Sequence, residues 1–493
     1  MWNFPVSPRP PSPCHVSHGR NEPMKDDLET KEITSSAHHV HDTVAAISTP
    51  PGPGGIGMVR ITGPDAMAVG GKIFTPLGTG SSPDLEPKMA VVGHVHFPGF
   101  PDAPIDQAVW LFFKGPRSFT GEDTVEITAH GGPLIMGNAL KAATLAGARL
   151  AEPGEFTRRA FTNGRIDLSQ AEAVASLIFA STEEALRVMQ RQVAGAMGRE
   201  AQQLREGLLE VKVVLESAID FPEDVEDIQP GSLVHPINII MQRVESLLDT
   251  AREGIAMNKG LRVVIAGAPN VGKSSLLNAL LKQDRAIVHE VAGTTRDFIE
   301  GRVSVKGIPM IVVDTAGIRG EADPLEGEGI TRTRNLMKGA DLLLIVIDGS
   351  RSMSSDEQQL LQETTHTRRV VAMNKCDLSR HPELEEPQGA VKISALTGQG
   401  IDALKEAIHD TYTGSGQALT EVDGVVTSLR QAEALKKVRE GCGRVMEGLR
   451  ESREPELLAV DLQEALLGVG ELTGELTVDE VLEEIFSRFC IGK

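Results

Sequence analysis

The sequence has few aromatic residues, few cysteines and no excess of positive charge. Aromatic residues make up 3% of the 493 residues, so the cores must consist mainly of Leu, Val, Ile and Ala. The four cysteines form no C-x-x-C pair, which argues against zinc and disulfide frameworks and fits a reducing cytosol. The formal net charge of -20 argues against a broad nucleic-acid-binding surface, because phosphate contacts need concentrated Lys and Arg. Any contact with RNA must be local or shared with a partner.

Long apolar runs are also absent. No stretch is long enough to span a bilayer, so we expect a cytoplasmic protein with no membrane association. Residues 1–42 are rich in Pro, Ser and His and have little apolar periodicity, which predicts a disordered N-terminal extension. Two alternatives stay open for this segment: a transit sequence, which its prolines disfavour, and a translation start at Met24.

The most informative segment is Gly-Ala-Pro-Asn-Val-Gly-Lys-Ser-Ser at residues 267–275, which matches the phosphate-binding pattern G-x-x-x-x-G-K-[ST]. It follows an apolar run and precedes a helix-like stretch, Leu276–Leu281, as the motif requires. Its glycines let backbone N–H groups point at phosphate oxygens, and the start of the helix favours an anion. We expect Lys273 to reach the β- and γ-phosphates and the Ser274 hydroxyl to bind Mg²⁺.

A second motif indicates the base. Asn-Lys-Cys-Asp at residues 374–377 follows another apolar run, and Ser394 and Ala395 come later, where a contact with guanine O6 is usual. The Asp377 carboxylate can accept hydrogen bonds from the N1–H and the 2-amino group of guanine. Adenine lacks that pair of donors and would leave a carboxylate unpaired. The sequence therefore predicts GTP rather than ATP.

Two switch segments complete the predicted nucleotide site. In Asp-Thr-Ala-Gly at 314–317, Asp314 is expected to hold Mg²⁺ through water and Gly317 to sense the γ-phosphate. Gly-Thr-Thr-Arg-Asp at 293–297 supplies Thr295 as the second Mg²⁺ hydroxyl. The expected GTP-binding residues are Asn270, Val271, Gly272, Lys273, Ser274, Ser275, His289, Glu290, Val291, Ala292, Gly293, Thr294, Thr295, Asp314, Thr315, Ala316, Gly317, Asn374, Lys375, Asp377, Ser394 and Ala395.

The order of these patterns predicts a multidomain protein with α/β and all-α parts. Residues 43–162 have an α/β pattern, 163–258 and 414–493 are helical, and 259–413 form a P-loop, Ras-like G domain. We expect one helical domain in two halves, interrupted by the inserted G domain. The predicted strands of the first part are Thr43–Ile47, Gly57–Ile61, Val91–Phe97, Gln107–Phe113 and Thr124–Thr128, and its predicted helix is Leu134–Ala146.

The usual water-orienting glutamine is missing. Ras-like G domains carry Gln after D-x-x-G, whereas this chain has Ile318, whose side chain makes no hydrogen bond. The carbonyl oxygen of Asn270 and backbone carbonyls of residues 289–295 are candidates to hold K⁺, which would offset charge on the leaving oxygens. Glu326 is a candidate to orient water. The alternative is a slow switch that waits for an activating protein.

From Thr43 onward the chain resembles the tRNA-modification GTPases of the MnmE family, also called TrmE. The most specific of the segments that carry the resemblance is Phe-Cys-Ile-Gly-Lys at 489–493. The others are Thr-Pro-Pro-Gly-Pro-Gly-Gly-Ile-Gly at 49–57, Phe-Thr-Gly-Glu-Asp at 119–123, His-Gly-Gly-Pro at 130–133, Pro-Gly-Glu-Phe-Thr at 153–157, Asp-Leu-Ser-Gln-Ala-Glu at 167–172 and Ala-Gly-Thr-Thr-Arg-Asp at 292–297.

The resemblance implies an N-terminal domain that dimerises and binds a formyl- or methylene-tetrahydrofolate. It places folate contacts at Arg60, Glu126, Arg165 and Lys493. The family more often has Lys at the position of Arg165, and both cations can pair with the glutamate of folate. Cys490 is a candidate reactive thiol beside the folate, and a small buried core cysteine is the alternative.

The resemblance also implies roles in hydrolysis. It places the K⁺ site at Asn270, His289, Val291 and Thr294 and the catalytic carboxylate at Glu326. His289 stands where Thr is expected, and K⁺ selectivity is retained if the ligand there is the backbone carbonyl.

Partners and the reaction are implied in the same way. Family members form homodimers that join an FAD-containing partner, MnmG (also called GidA), in a heterotetramer. Together they add an aminomethyl or carboxymethylaminomethyl group at C5 of the tRNA wobble uridine, gated by K⁺-stimulated GTP hydrolysis and G-domain dimerisation. The alternative is a GTP-gated assembly or ribosome-biogenesis switch, although the sequence has no basic RNA-binding segment.

Overall fold

The computed structural model describes residues 42–78, 87–220, 230–283, 300–314, 336–413 and 424–493. These residues form two sheets and two groups of helices. No helix within these ranges is both long and apolar enough to cross a bilayer. The extension predicted at residues 1–42 lies outside the described residues, except for Asp42.

The first sheet has seven strands in the order β3-β4-β5-β6-β2-β1-β7, of which only β1 and β7 are parallel. Alternate residues, such as Val59, Trp110 and Ile127, are buried on one face, where they pack with alanines of helix α2. The five predicted strands and the predicted helix are confirmed to within a few residues. The elements are β1 (Val44–Ile47), β2 (Gly54–Thr62), α1 (Ala66–Gly71), β3 (Phe74–Pro76), β4 (Val91–His96), β5 (Pro104–Phe113), β6 (Thr124–Gly131), α2 (Pro133–Ala146) and β7 (Arg149–Leu150).

Helix α3 (Glu155–Thr162) is joined to the start of this sheet by charged side chains. Glu155 accepts hydrogen bonds from Arg149 Nη2 at 2.7 Å and Arg159 Nη2 at 2.9 Å. Arg159 also contacts Asp42 at 2.6 Å and Glu122 at 3.1 Å. Burial alone would raise the pKa of the Glu155 carboxyl, but hydrogen bonds from both arginines and a backbone N–H lower it below its ordinary value.

Four helices follow, and they are α4 (Leu168–Phe179), α5 (Glu183–Val193), α6 (Ala196–Asp220) and α7 (Pro230–Lys259). The breaks between the first three are not evident from their helical composition. Helix α5 begins after Thr182, whose hydroxyl accepts a hydrogen bond from the Ala185 N–H at 3.1 Å. Gly195, at φ +83°, separates α5 from α6.

The second sheet has six strands in the order β13-β12-β11-β8-β10-β9, parallel except for the pair β9–β10. Strand order reverses between β8 and β11, so the loops at their carboxyl ends diverge and leave a crevice. Its elements are β8 (Leu261–Ala266), α8 (Lys273–Gln283), β9 (Glu300–Val305), β10 (Ile308–Asp314), β11 (Leu342–Asp348), α9 (Ser355–Glu363), β12 (Arg369–Asn374), β13 (Val391–Lys392) and α10 (Ile401–Thr413).

Helices α11 (Leu429–Arg450), α12 (Pro455–Thr473) and α13 (Asp479–Ser487) come after this sheet. Leu435 of α11 and Leu462 of α12 belong to one buried cluster with Leu204 of α6 and Ile240 of α7. Helices that precede the second sheet in the sequence therefore share a core with helices that follow it, which confirms a helical domain in two halves.

Candidate functional site

The loop at residues 267–275 joins β8 to α8 at the carboxyl edge of the second sheet. Gly272 lies at φ +97°, and a Cβ there would come within 2.3 Å of Asn374 Nδ2, so only glycine fits. Asn270, at φ +61°, is exposed on the same loop. The tight turn leads directly into the N-terminus of α8, where the helix dipole favours an anion.

Lys273 is the first residue of α8 and is 7% exposed. Its Nζ atom donates hydrogen bonds to the carbonyl oxygens of Gly267, at 3.0 Å, and Ala268, at 2.8 Å. The ammonium group therefore lies inside the curve of its own loop. Neutral carbonyls are weaker partners for an ammonium than a phosphate anion, so a bound phosphate can replace them.

Ser274 and Asp314 meet beside this lysine. The Ser274 hydroxyl donates a hydrogen bond to Asp314 Oδ2 at 2.6 Å, and Asp314 is fully buried at the end of β10. A hydroxyl and a carboxylate are the hard oxygen ligands that Mg²⁺ takes, so these two residues fit that ion. Ser275, the next residue, is exposed.

Asn374 connects the phosphate loop to the base side of the crevice. Its Nδ2 atom donates to the carbonyl oxygen of Val271 at 2.8 Å, and its Oδ1 atom accepts from the Ala395 N–H at 2.9 Å. Ser394 is fully buried, whereas Asp377 is exposed at the same edge of the sheet. The side chain of Asn374 therefore connects the phosphate loop and the segment of Ser394 and Ala395 to its own base motif at residues 374–377.

Part of the predicted site lies outside the described residues, and the roles assigned there stay predictions. Of the predicted K⁺ ligands, only Asn270 is described. The predicted residues outside the description are His289, Glu290, Val291, Ala292, Gly293, Thr294, Thr295, Thr315, Ala316, Gly317 and Glu326.

A second polar cluster lies on the face of the first sheet opposite its alanine-lined core. Arg60 Nε donates to Glu126 Oε1 at 2.8 Å across the β2–β6 pair, and Arg60 Nη1 donates to the Gly492 carbonyl oxygen at 3.3 Å. The Ser48 hydroxyl donates to the same carbonyl at 3.0 Å. Burial, followed by the charge of Arg60, lowers the pKa of the Lys493 ammonium. The structure thus brings together three of the four predicted folate contacts.

The other two predicted residues of this region are placed differently. Arg165 is exposed, and its side chain lies against Gly121, where an added Cβ would be 3.1 Å from Arg165 Cγ. Among the contacts of the described residues, none joins Arg165 to Arg60, Glu126 or Lys493. Cys490 is exposed, so the alternative of a buried core cysteine is wrong.

Sequence models of two protein families match the chain. The model described as GTP-binding protein TrmE N-terminus matches residues 43–165, and the model of the MnmE helical domain matches residues 168–490. The chain is 42% identical over 467 residues to the tRNA modification GTPase MnmE of Roseiflexus sp. (strain RS-1), covering 92% of this chain and 99% of that protein. It is 43% identical over 462 residues to the protein of that name from Geobacter sulfurreducens, covering 92% and 100%.

The chain belongs to the MnmE family of tRNA modification GTPases. As an MnmE-family protein it binds GTP and is a GTPase of tRNA modification. Among solved structures it is similar to Era of Aquifex aeolicus bound to GDP and AlF4-, at 28% identity and a TM-score of 0.24, over 36% of this chain and 66% of that one. It is also similar to the G domain of T. maritima FeoB, at 29% identity and a TM-score of 0.23, over 31% and 98%.

Two groups of residues in this MnmE-family chain were missed from sequence. Asp348 ends the buried strand β11 and contacts Lys375 of the base motif. Asp348 could have been recognised from the sequence, because it ends an apolar run in the same way as Asp314. The charged cluster around Glu155 gave no such signal, since its members are spread from Asp42 to Arg159.

Proposed function

We propose that this MnmE-family GTPase binds and hydrolyses GTP at the carboxyl edge of the second sheet. The observation that carries the proposal is the contact of Ser274 with Asp314 beside Lys273, on a loop that Asn374 fixes to the base motif. Lys273 would leave its two carbonyl partners for the β- and γ-phosphates, and Asp377 would accept hydrogen bonds from guanine.

The same site fits Mg²⁺ held by the hydroxyls of Ser274 and Thr295, with Asp314 acting through water. When bound, the ion would neutralise charge on the β- and γ-phosphates. Ser274 would then give up its hydrogen bond to Asp314 to bind the ion.

Hydrolysis in this proposal needs no arginine from another protein. K⁺ bound by Asn270, His289, Val291 and Thr294 would supply positive charge, and Glu326 would orient water when two G domains dimerise. The exposed side chain of Asn270 on the phosphate loop supports this, together with Ile318 in the usual place of Gln.

The cluster on the first sheet is proposed to bind a formyl- or methylene-tetrahydrofolate. Arg60 and Lys493 bring two cationic side chains together beside Glu126, and either can pair with an anionic glutamate group. The exposed Arg165 would pair with the same ligand from the side of Gly121. Cys490 is proposed as a thiol beside the ligand.

We further propose that the chain forms a homodimer and joins an FAD-containing protein of the MnmG type in the cytoplasm. The complex would add an aminomethyl or carboxymethylaminomethyl group at C5 of the tRNA wobble uridine. The matches of the two family models, to residues 43–165 and 168–490, support a domain boundary near residue 162. The elements of the second sheet, from Leu261 to Thr413, support boundaries near residues 258 and 413.

The base assignment is tested by exchanging Asp377 for Asn. The amide can donate to the 2-oxo group of xanthine, so Asp377→Asn should lose affinity for GTP and gain affinity for XTP. Unchanged affinity for GTP in this variant would place the base elsewhere.

The hydrolytic mechanism is tested by single-turnover GTP hydrolysis in KCl and in NaCl. We expect faster turnover in KCl, and loss of turnover with retained GTP affinity in Glu326→Ala. Glu385→Ala, at an exposed residue of the same G domain, serves as the matched control and should behave as the parent chain. Equal rates in both salts would remove the K⁺ mechanism.

The role in modification is tested by mass analysis of wobble uridines from cells that lack this protein. The C5 groups should disappear and return with the parent chain but not with Lys273→Ala. Unchanged uridines in the deletion strain would favour the assembly switch instead.

A further inference from the structure

Strand β11 ends at an acidic residue whose carboxylate contacts the base motif. Asp348 Oδ2 accepts a hydrogen bond from Lys375 Nζ at 2.6 Å, and its side chain is 6% exposed. Its Oδ1 atom accepts from the Ser350 hydroxyl at 2.6 Å and the Ser350 N–H at 2.9 Å. Both carboxylate oxygens therefore have partners in fixed directions.

Lys375 has an uncommon backbone conformation that needs support. It lies at φ +66°, a region that residues other than glycine rarely adopt. The residue before it, Asn374, is fixed on both sides, because its side chain bridges Val271 and Ala395. Its carbonyl oxygen also accepts the Gly349 N–H at 2.8 Å. The Lys375 side chain is 32% exposed, so its contact with Asp348 sets its direction.

The charge of Asp348 is stable over the neutral range. Burial raises the pKa of its carboxyl, but hydrogen bonds from Lys375 and Ser350 outweigh burial and lower the pKa below its ordinary value. The Asp348 carboxyl is therefore a carboxylate when nucleotide binds. Pairing at this depth orients a flexible side chain more strongly than an ion pair in open solvent would.

We infer that Asp348 is a positioning residue for guanine-nucleotide binding, which holds Lys375 and thereby the loop of residues 374–377 in the conformation that receives the base. The inference rests on the proposed guanine site. Asp348 does not itself need to touch the nucleotide. Because it acts on the base side, its loss should weaken GDP and GTP binding equally, whereas loss of Lys273 should weaken GTP binding more.

Asp348→Asn tests this inference with little change in shape. The Asn oxygen can still accept from Ser350, but its NH₂ group would face the Lys375 ammonium, so the substitution removes that contact together with the longer ion pair to Arg351, 3.9 Å from Asp348 Oδ2. We expect dissociation of a fluorescent GDP about 10- to 100-fold faster, as for one lost hydrogen bond between charged groups. Turnover at saturating GTP should stay within about twofold of the parent chain, since the phosphate side is intact.

A double-mutant cycle separates positioning from a general structural role. In a Lys375→Met background, Asp348→Asn should add nothing further to the dissociation rate, because its target is already gone. Asp341→Asn, at the opposite end of β11, is the control: Asp341 accepts the Arg262 N–H at 2.8 Å, and its loss should not change nucleotide release. Thermal unfolding without nucleotide checks that both variants are folded.

The outcomes are distinguishable. If the parent chain does not bind GDP, the proposed guanine site fails. If it does bind, two results overturn the inference: parent-like GDP release by Asp348→Asn, or full additivity with Lys375→Met.

Discussion

The two candidate sites of this MnmE-family chain are built in opposite ways. The nucleotide site lies at one edge of one sheet, where each contributing loop follows its own strand. The cluster around Arg60 instead joins strands near the beginning of the chain to Gly492, at a separation of 432 residues. The first site is assembled from local motifs and the second from a long-range contact.

This difference predicts which binding activity is lost when residues of each site are substituted. Substitutions at the nucleotide site should change GTP binding without disturbing the first sheet, because the two have separate cores. Substitutions near Gly492 should disturb the Arg60 cluster and leave GTP hydrolysis alone. Each of the following variants tests that separation.

The largest effect is expected from Lys273→Ala. Loss of the buried ammonium removes a charge-assisted contact with the phosphates, so GTP hydrolysis should fall by about 100-fold or more. Tetrahydrofolate binding by the same variant, measured by calorimetry, should equal that of the parent chain. A parallel loss of both activities would show that the two sites are not separate.

Arg60→Ala should have the next largest effect, on the other site. It leaves the Glu126 carboxylate without its guanidinium partner and facing an anionic ligand, so affinity for 5-formyl-tetrahydrofolate should fall by about 10- to 100-fold. Calorimetry measures this, and GTP turnover is the internal control. Arg60→Lys should recover only part of the affinity, because Lys cannot reproduce the contacts of the guanidinium group with both Glu126 and Gly492.

Gly492→Ala tests the long-range contact without removing a charge. Gly492 lies at φ +92°, and a Cβ would come within 2.4 Å of the Ile47 carbonyl oxygen, so the segment must shift away from Ser48. We expect about a tenfold loss of folate affinity at unchanged GTP turnover, for a displacement worth about 1.4 kcal/mol. Gly55→Ala, where an added Cβ meets nothing within 4 Å, is the matched control. Equal folate affinities in the two variants would argue against the placement of Gly492.

The smallest effect on ligand binding is expected from Glu155, whose contribution is instead to the acid stability of the first sheet. The pKa of Glu155 is lower in the folded chain than its ordinary value of 4.5, so its stabilising contribution is present above that pH and disappears as the pH falls through the folded value. Glu155→Gln should therefore cost about 2 kcal/mol at pH 7 and progressively less below about pH 4.5.

Tryptophan fluorescence can measure this difference locally. Trp110 is buried in the first sheet, and Trp2→Phe would leave it as the sole tryptophan. Urea unfolding of both variants at pH 7 and pH 4 then gives the two free energies of unfolding. A gap that widens on acidification would contradict the assigned ion pairs.

The nucleotide site could be predicted from the sequence much better than the cluster around Arg60. The loop at 267–275, Asp314 and Asn374 each follow an apolar strand, so their position at one sheet edge could be predicted from local pattern. The meeting of Arg60 with Gly492 could not, because no local signal links residues so far apart; only the resemblance to a family indicated it. The break at Gly195 was equally hidden, since the residues around it are good helix formers.

The hydrogen bond from Arg60 to Gly492 also has a consequence for biosynthesis. A ribosome makes the strands of the first sheet early, yet the Gly492 carbonyl group that Arg60 contacts is translated 432 residues later, after the whole nucleotide-binding part. While the rest of the chain is translated, Arg60 and Glu126 on that sheet therefore lack the contact with Gly492. The hydrogen bond to Gly492 connects the last segment to be translated with strands that are translated first, so it can form only at the end of synthesis.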